Sequence, residues 1–288
     1  MKSLALYRAL SYLKHHLCAW NTGGEGIHSP SLFYIVRFLF PKQHSYYIWH
    51  NIEERRDAML RAPKLLHLID YGTGRNNVLQ IRQIARRHIE SRASGELFFK
   101  LIIYLRHELK RPLTIVELGT SLGITTSYLA AADKENKVTT FEGSEETLEV
   151  AKMNWKKLGL KSIEAVSGNL DITLNKSRIC ASNEPIDFLF MDANHRFEPT
   201  LRYFDTLAKH FHDKSIVVVD DIHYSPEMYH AWQELKNRPQ VTSTMDCYAF
   251  GILFFNPHYL KRHYIIRLRR STLKRETKDS PPWQRAKE

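Results

Sequence analysis

Cysteine is scarce in this chain. Cys18, Cys180 and Cys247 are scattered without metal-ligand spacing, and three of them cannot make a disulfide framework. A reducing, cytoplasmic setting is the expected home. Long apolar runs are missing as well: no stretch approaches the roughly 20 residues that a membrane-spanning helix requires. The first apolar segment, Leu4 to Trp20, is broken by Arg8, Lys14, His15 and His16, which makes a poor signal peptide. There is no internal repeat. The glycine pattern that cradles a dinucleotide, Gly-x-Gly-x-x-Gly, is also lacking where it is most expected, after the best strand of the sequence.

What is present is an ordinary globular composition. Hydrophobic residues make up 43% of the 288 residues and charged ones 25%, enough for one large domain with an extension. The formal charge is +11. It is unevenly spread: Lys261 to Glu288 holds ten Lys or Arg against three acids. Such a tail is most often a solvated terminus, with nucleic acid or an acidic membrane surface as the alternative partner.

The chain is organised around Ile115 to Ala131. Thr114 to Leu118 is a short β-branched apolar run that suits a strand buried on both faces. Gly119, Thr120, Ser121 and Gly123 make a tight turn, and Ile124 onward carries helical spacing. Strand, turn and helix N-terminus together direct backbone N–H groups and a helix dipole at whatever lies over the turn. Here the spacing is Gly119-x-x-x-Gly123, and Glu117 stands two residues before the first glycine. A diphosphate would be repelled by that acid, whereas a cationic group such as an amino group would be attracted. Val138 to Gly143 reads as a second strand with Glu142 at its tip, nineteen residues after Gly123. A carboxylate in that place can accept both hydroxyls of a ribose. The run resembles motif I and the acidic second-strand motif of the class I S-adenosylmethionine (SAM)-dependent methyltransferases.

The rest of the chain alternates as a doubly wound sheet requires. Residues 1–94 read as a helical extension: a helix over Leu4 to Trp20, a turn-rich loop from Asn21 to Pro30, helical character over Ser31 to Leu39, and a charged helix around Glu53 to Leu60. Tyr46, Tyr47 and Trp49 read as contacts between this extension and the main domain. Asp70-Tyr-Gly-Thr-Gly74 imitates a nucleotide turn, but helical segments (Val78 to Ser91, Gly95 to Lys110) follow it, so a loop between extension helices is the expectation. Within 95–258, strands are expected at Ile163 to Val166, Ile186 to Met191 and Ser215 to Val219, ending near Asn169, Asp192 and Asp220-Asp221. Val241 to Met245 and Ala249 to Phe255 pair as an antiparallel ending, and 259–288 is the basic tail.

Asp187-Phe-Leu-Phe-Met-Asp192-Ala-Asn-His195-Arg-Phe-Glu198 and Val217-Val-Val-Asp220-Asp221-Ile-His223 resemble the O-methyltransferase branch that includes catechol and caffeoyl-CoA O-methyltransferases, together with their uncharacterised bacterial relatives. The resemblance covers about Gly95 to Phe255. It implies an α/β fold, a Rossmann-like sheet of seven strands, and SAM held by Glu117, Gly119, Thr120, Ser121, Gly123, Glu142, Gly143, Asn169 and Asp192. The metal-dependent members bind a divalent ion, which would fall here on Asp192, Asp220 and Asp221, with Mg²⁺ suited to the oxygen ligands. Asp221 stands where those members have Asn. His195 and His223 are the candidate bases near neutral pH, alongside Asp192 and Asp220.

The expected activity is methylation of a small-molecule hydroxyl, with the extension packed as a cap that helps enclose the acceptor. Two readings compete. One is a metal-independent methyltransferase acting on nitrogen or on a sugar hydroxyl; the other is a non-catalytic SAM-binding or RNA-associated protein that uses the basic tail. A homodimer is compatible with either.

Overall fold

The structure is a computed structural model that describes residues 2–41, 45–71 and 75–268. Most of the basic tail, and Gly72 to Gly74 of the acid-glycine turn, lie outside the described residues. In chain order the extension contains α1 (Lys2–Cys18), α2 (Pro30–Tyr34), α3 (Tyr47–Arg61), β1 (Leu65–Asp70), β2 (Arg75–Gln80) and α4 (Ile81–His88). There follow α5 (Arg92–Leu109), β3 (Thr114–Leu118), α6 (Ile124–Ala131), β4 (Lys137–Glu142), α7 (Glu145–Leu158) and β5 (Ile163–Ser167). The remainder is α8 (Leu170–Lys176), α9 (Arg178–Ala181), β6 (Phe188–Met191), α10 (Phe197–Leu207), β7 (Ile216–Asp220), α11 (Pro226–Asn237), β8 (Ser243–Asp246), β9 (Phe250–Phe254) and β10 (Arg262–Ile265).

One sheet carries the domain, in the order β10-β8-β9-β7-β6-β3-β4-β5. Strands β3 to β7 run parallel, and β9 enters antiparallel between β7 and β8. The chain winds from β3 outward through β4 and β5, then returns to the other side of β3 for β6 and β7. The switch point therefore falls between β3 and β6, where open α/β sheets bind ligands beyond their strand carboxyl ends. Residues of β3, β6 and β7 are buried along their whole length, as parallel strands with helices on both faces must be.

Two findings depart from the sequence expectation. Among the described residues the sheet has eight strands, because Arg262 to Ile265 pairs parallel with Ser243 to Asp246 inside the stretch read as tail. Its Arg-His start conceals a strand whose Tyr264 is buried. The extension, in turn, is not purely helical. Leu65 to Asp70 and Arg75 to Gln80 form an antiparallel hairpin with Leu66 opposite Leu79, so Val78 to Gln80 is strand rather than the start of a helix. His67, Asn76 and Asn77 obscured the alternation that would have shown it.

The extension shares the domain's interior. Ile27, Leu32, Ile35, Val36 and Leu39 belong to the same apolar cluster as Leu97, Phe98, Ile115, Phe188 and Phe250. Trp49 packs edge-on against Phe99 at 5.4 Å and also meets Tyr46 and Tyr128. Tyr46 and Trp49 are thus contacts between the extension and the domain, whereas Tyr47 is exposed.

Candidate active site

The glycine turn is built on two residues that no other side chain could replace. Gly119 has φ +101°, and a Cβ there would lie 2.1 Å from the carbonyl oxygen of Asp192. Gly123 has φ +74°, and a Cβ would meet the Trp155 ring and Ala151 within 2.7 Å. Both are left-handed positions that favour glycine. The Gly123 carbonyl accepts hydrogen bonds from Trp155 Nε1 (2.9 Å) and Ser127 Oγ (2.6 Å). The turn is thereby fastened to α6 and α7. The Thr120 hydroxyl is 2.6 Å from that of Thr140, and the Ser121 hydroxyl is buried without a hydrogen-bond partner.

Glu142 ends β4 beside this turn. One carboxylate oxygen accepts from the Ser121 N–H (2.8 Å) and the other from the Ser144 N–H (2.9 Å). Burial pushes its pKa up against these bonds. A carboxylate offers about four lone-pair sites, so two backbone donors orient it and leave capacity for further hydroxyls. Gly143 lies under the hairpin tip: a Cβ there would be 3.0 Å from the Tyr71 ring. Tyr71, just past the end of β1, therefore lies over the end of β4. Asn169 caps α8 through its side chain, accepting from the Asp171 N–H at 3.0 Å.

Glu117 lies beneath the turn and is fully buried. Its Oε2 accepts from the hydroxyls of Thr126 and Thr140, while Oε1 has no partner. Burial raises this carboxyl to about 8, against the two hydroxyl bonds.

The ends of β6 and β7 bring together a second group. Asp192 Oδ1 is 3.3 Å from His195 Nε2, and His195 Nδ1 is 3.9 Å from Asp221 Oδ2. Asn194, His195 and Asp221 all have positive φ, so the pleat is broken at both strand ends and the side chains can turn toward one another. Burial opposes charge on His195, but the hydrogen bond it donates to Asp192 and the charges of Asp192 and Asp221 outweigh it and raise the imidazole above its ordinary value. Asp220 is buried, and its Oδ1 lacks a partner. Its carboxyl is raised well above the usual range, first by burial and then by the charges of Glu90, Asp192 and Asp221.

Sequence reasoning missed Glu90. This residue, between α4 and α5, is hydrogen-bonded to Asp220 and is itself raised by burial. Two carboxyls in such contact share a proton. Arg8 of α1 was missed too: it donates to the Tyr224 carbonyl (2.9 Å) and lies 3.9 Å above the Tyr224 ring, and its charge works against the burial that raises the carboxyl of Asp221. No local pattern announces either residue, because each acts across more than 100 positions of sequence.

His223 is not part of this group. Its Nε2 faces Asp246 at 2.9 Å and its Nδ1 faces Ser11 Oγ at 2.8 Å, and its ring stacks on Tyr248. With both nitrogens engaged, it fastens α1 to β8. Nor do Asp192, Asp220 and Asp221 form a metal cage: among the described residues, no group of three or more His, Cys, Asp or Glu has the geometry to hold an ion. A cavity of about 350 Å³ opens at the opposite rim, by Thr114, Lys137 and Ile163, away from all of these groups.

Residues 116–222 match the family profile described as a methyltransferase domain. Residues 116–222 of the chain thus carry a methyltransferase domain. Solved structures share its fold. An O-methyltransferase from Bacillus cereus in complex with SAH is 18% identical, with 76% of this chain and 94% of that chain covered and a TM-score of 0.53. A putative O-methyltransferase from Klebsiella pneumoniae is 13% identical over 74% of this chain and 91% of that one, with a TM-score of 0.52. The SAH-bound methyltransferase of Podospora anserina is 14% identical over 80% and 97%, with a TM-score of 0.53. None of the curated proteins compared matches the sequence. The matched segment of the methyltransferase domain begins inside β3 and ends just past Asp221, so it contains the glycine turn, Glu142 and the Asp192–His195–Asp221 group.

Proposed function

We propose that this protein O-methylates a small-molecule hydroxyl, with SAM bound over the glycine turn and the acceptor beside His195. The observation that carries the reading is the juxtaposition at Gly119. The turn that would hold the cofactor touches the Asp192 backbone, and Asp192 in turn holds His195.

The residues present fit SAM. Glu142 is already oriented by two N–H donors, Gly119 and Gly123 leave the backbone bare, and the buried Ser121 hydroxyl lacks a partner. When bound, SAM supplies an electrophilic methyl group on a sulfonium. Glu142 would hold the ribose, and Gly143 with Tyr71 would flank the base. Asn169, occupied as a helix cap, would contribute at most its remaining amide.

A hydroxyl is a weak nucleophile until its proton has somewhere to go, and His195 supplies the place. Its neutral imidazole is made more basic by Asp192 and Asp221, and the imidazolium formed on accepting the proton lies between those two carboxylates. Positioning of the acceptor oxygen supplies the rest of the barrier reduction. Glu90 and Asp220 would share a proton near Asp192 and so keep the site's negative charge in check. A divalent ion does not fit this arrangement: Asp220 is turned to Glu90, and the His195 ring stands between Asp192 and Asp221. We therefore derive no step through a metal. The extension supports the reading of a cap, since Glu90, Arg8 and the hairpin all border the site.

The test is turnover of a panel of phenolic and aliphatic hydroxyl acceptors, followed by transfer of a labelled methyl group. His195→Gln should lose about 10²–10⁴-fold in rate, the usual range for a general base, while retaining SAH affinity. Equal turnover by this variant on a true acceptor would refute the role of His195.

A further inference from the structure

The outer face of α1 has no partner among the described residues. Leu6 is 60% exposed, Leu10 58%, Leu13 55%, Leu17 75% and, just beyond the helix, Trp20 67%. The four leucines are spaced four, three and four residues apart, which on a helix gathers them within a sector of roughly 60°. The opposite side of α1 is committed to the protein. His15 is buried at 3.2 Å from Asp246, Ser11 meets His223, and the Arg8 carbonyl accepts from the Tyr248 hydroxyl at 2.9 Å. The stripe is thus held rigidly outward, and the packing that makes α1 helical does not account for it. Isolated exposed leucines are ordinary, but a contiguous file of them marks an interaction surface.

Charge decides what covers it. Residues 1–20 contain Lys2, Arg8, Lys14, His15 and His16 and no acid. Lys14 and His16 flank the leucines, and Arg267 reaches His16 at 2.6 Å. The chain after Ile265 is fixed to the foot of α1 by the Asn21 and Thr22 side chains, which accept from the N–H groups of Ile265 and Arg267. Arg267 therefore adds its charge at the edge of the same face. A second copy of this helix would bring cation against cation with no carboxylate to pair. An anionic lipid surface complements both the apolar file and its basic border, and a tryptophan at the helix end suits the headgroup boundary.

We propose that α1 is an interfacial membrane-docking helix that seats Leu6, Leu10, Leu13, Leu17 and Trp20 in the surface of an anionic phospholipid bilayer. No helix among the described residues is long and apolar enough to cross a membrane, so attachment is to one leaflet. Because the inner side of α1 touches Tyr224 and Ser225, docking brings the acceptor side of the site against the bilayer.

The experiment is cosedimentation of the full-length protein with vesicles of phosphatidylcholine alone or of equimolar phosphatidylcholine and phosphatidylglycerol, at low and high salt. Wild type should bind the anionic vesicles, weaken with salt, and ignore the neutral ones. Leu10→Glu with Leu13→Glu should reduce the association constant by about tenfold or more, with SAH affinity and melting temperature unchanged. Leu17→Gln, at the most exposed position, serves as the milder variant should the double one misfold, and its binding should fall too. Failure of wild type to bind anionic vesicles, or undiminished binding by folded variants, overturns the proposal. So does sedimentation velocity that shows a dimer broken by these substitutions in a protein that ignores vesicles, since the occupant is then a second copy.

Discussion

Replacing Asp192 by Asn tests the electrostatics of the site without requiring the acceptor. Asp192 Oδ1 lies 3.3 Å from His195 Nε2, and Asp221 Oδ2 lies 3.9 Å from the other ring nitrogen. The His195 side chain retains 30% of its exposure and that of Asp192 17%, so the pair is neither dry nor fully screened. At an effective dielectric of about 40, two unit charges at such separations interact by about 2 kcal/mol each. One pKa unit corresponds to about 1.4 kcal/mol. Losing one of two flanking carboxylates should therefore lower the imidazole, with Asp221 retaining part of the elevation. The assay is a ¹H–¹⁵N titration of the histidine side chains in the apo protein, with the His195 signal assigned by its disappearance in His195→Gln. The wild-type midpoint should lie above the ordinary histidine value of 6.5 and that of Asp192→Asn below the wild-type one. The acid limb of turnover should move with it, because the neutral imidazole is the base. A midpoint that stays in place, or rises, would refute the assignment of Asp192 as the group that raises His195.

Glu142→Ala should weaken SAM binding by about 1–3 kcal/mol, the range for a lost charge-assisted hydrogen-bond partner; unchanged calorimetric affinity in a folded variant would remove Glu142 from the ribose site. Glu117 binds an extra proton in the folded state between its ordinary value of 4.5 and about 8, so its contribution to stability declines as pH rises through that window. Scanning calorimetry should show a melting temperature that drops less from pH 5 to pH 8 in Glu117→Gln than in wild type, and identical slopes would contradict this. Asp246 behaves in the opposite sense: hydrogen bonds from His15 and His223 outweigh burial and hold its carboxyl well below the usual range. The stability it contributes is present above the unfolded carboxylate range and is lost as pH falls below it. Asp246→Asn should accordingly speed hydrogen exchange in α1 at neutral pH while leaving β3 and β6 protected, and unaltered exchange in α1 would deny the His–Asp fastening. Chelation should leave turnover unaffected, since His195 and the Glu90–Asp220 proton occupy the places a cation would take; activity that fails with chelator and returns with Mg²⁺ would reverse that conclusion.

Much of the domain was legible because its strands are buried on both faces. Thr114 to Leu118 and Ile216 to Val219 are continuous β-branched runs, and a parallel sheet leaves such runs no other use. The turn was legible from Gly119 and Gly123, the acid from its distance to them. What stayed hidden depends on direction and distance. His223 follows Asp220-Asp221 in sequence, yet the left-handed backbone at Asp221 sends the chain toward Asp246 instead of back to the site. Glu90 meets Asp220 only because α5 runs beneath the sheet and begins at the strand ends. Ile35, Val36 and Leu39 lie in the stretch read as a cap, and they fill the same interior as Phe98 and Phe188. Removing residues 1–94 would consequently open the main core, and aggregation is the expected result rather than a folded domain without its lid.

The contact at Gly119 has a bearing on how errors spread through this enzyme. A side chain at that position would collide with the backbone of Asp192 itself, not with a movable rotamer. Asp192 N–H also donates to the Leu118 carbonyl at 2.8 Å, so the two loops share one seam and cannot be displaced separately. Any shift of the turn is transmitted undamped to the carboxylate that sets the basicity of His195. Cofactor seating and proton acceptance therefore draw on a single mechanical tolerance. A substitution as small as Gly119→Ala should injure both functions at once, where a looser joint would have let one survive the loss of the other.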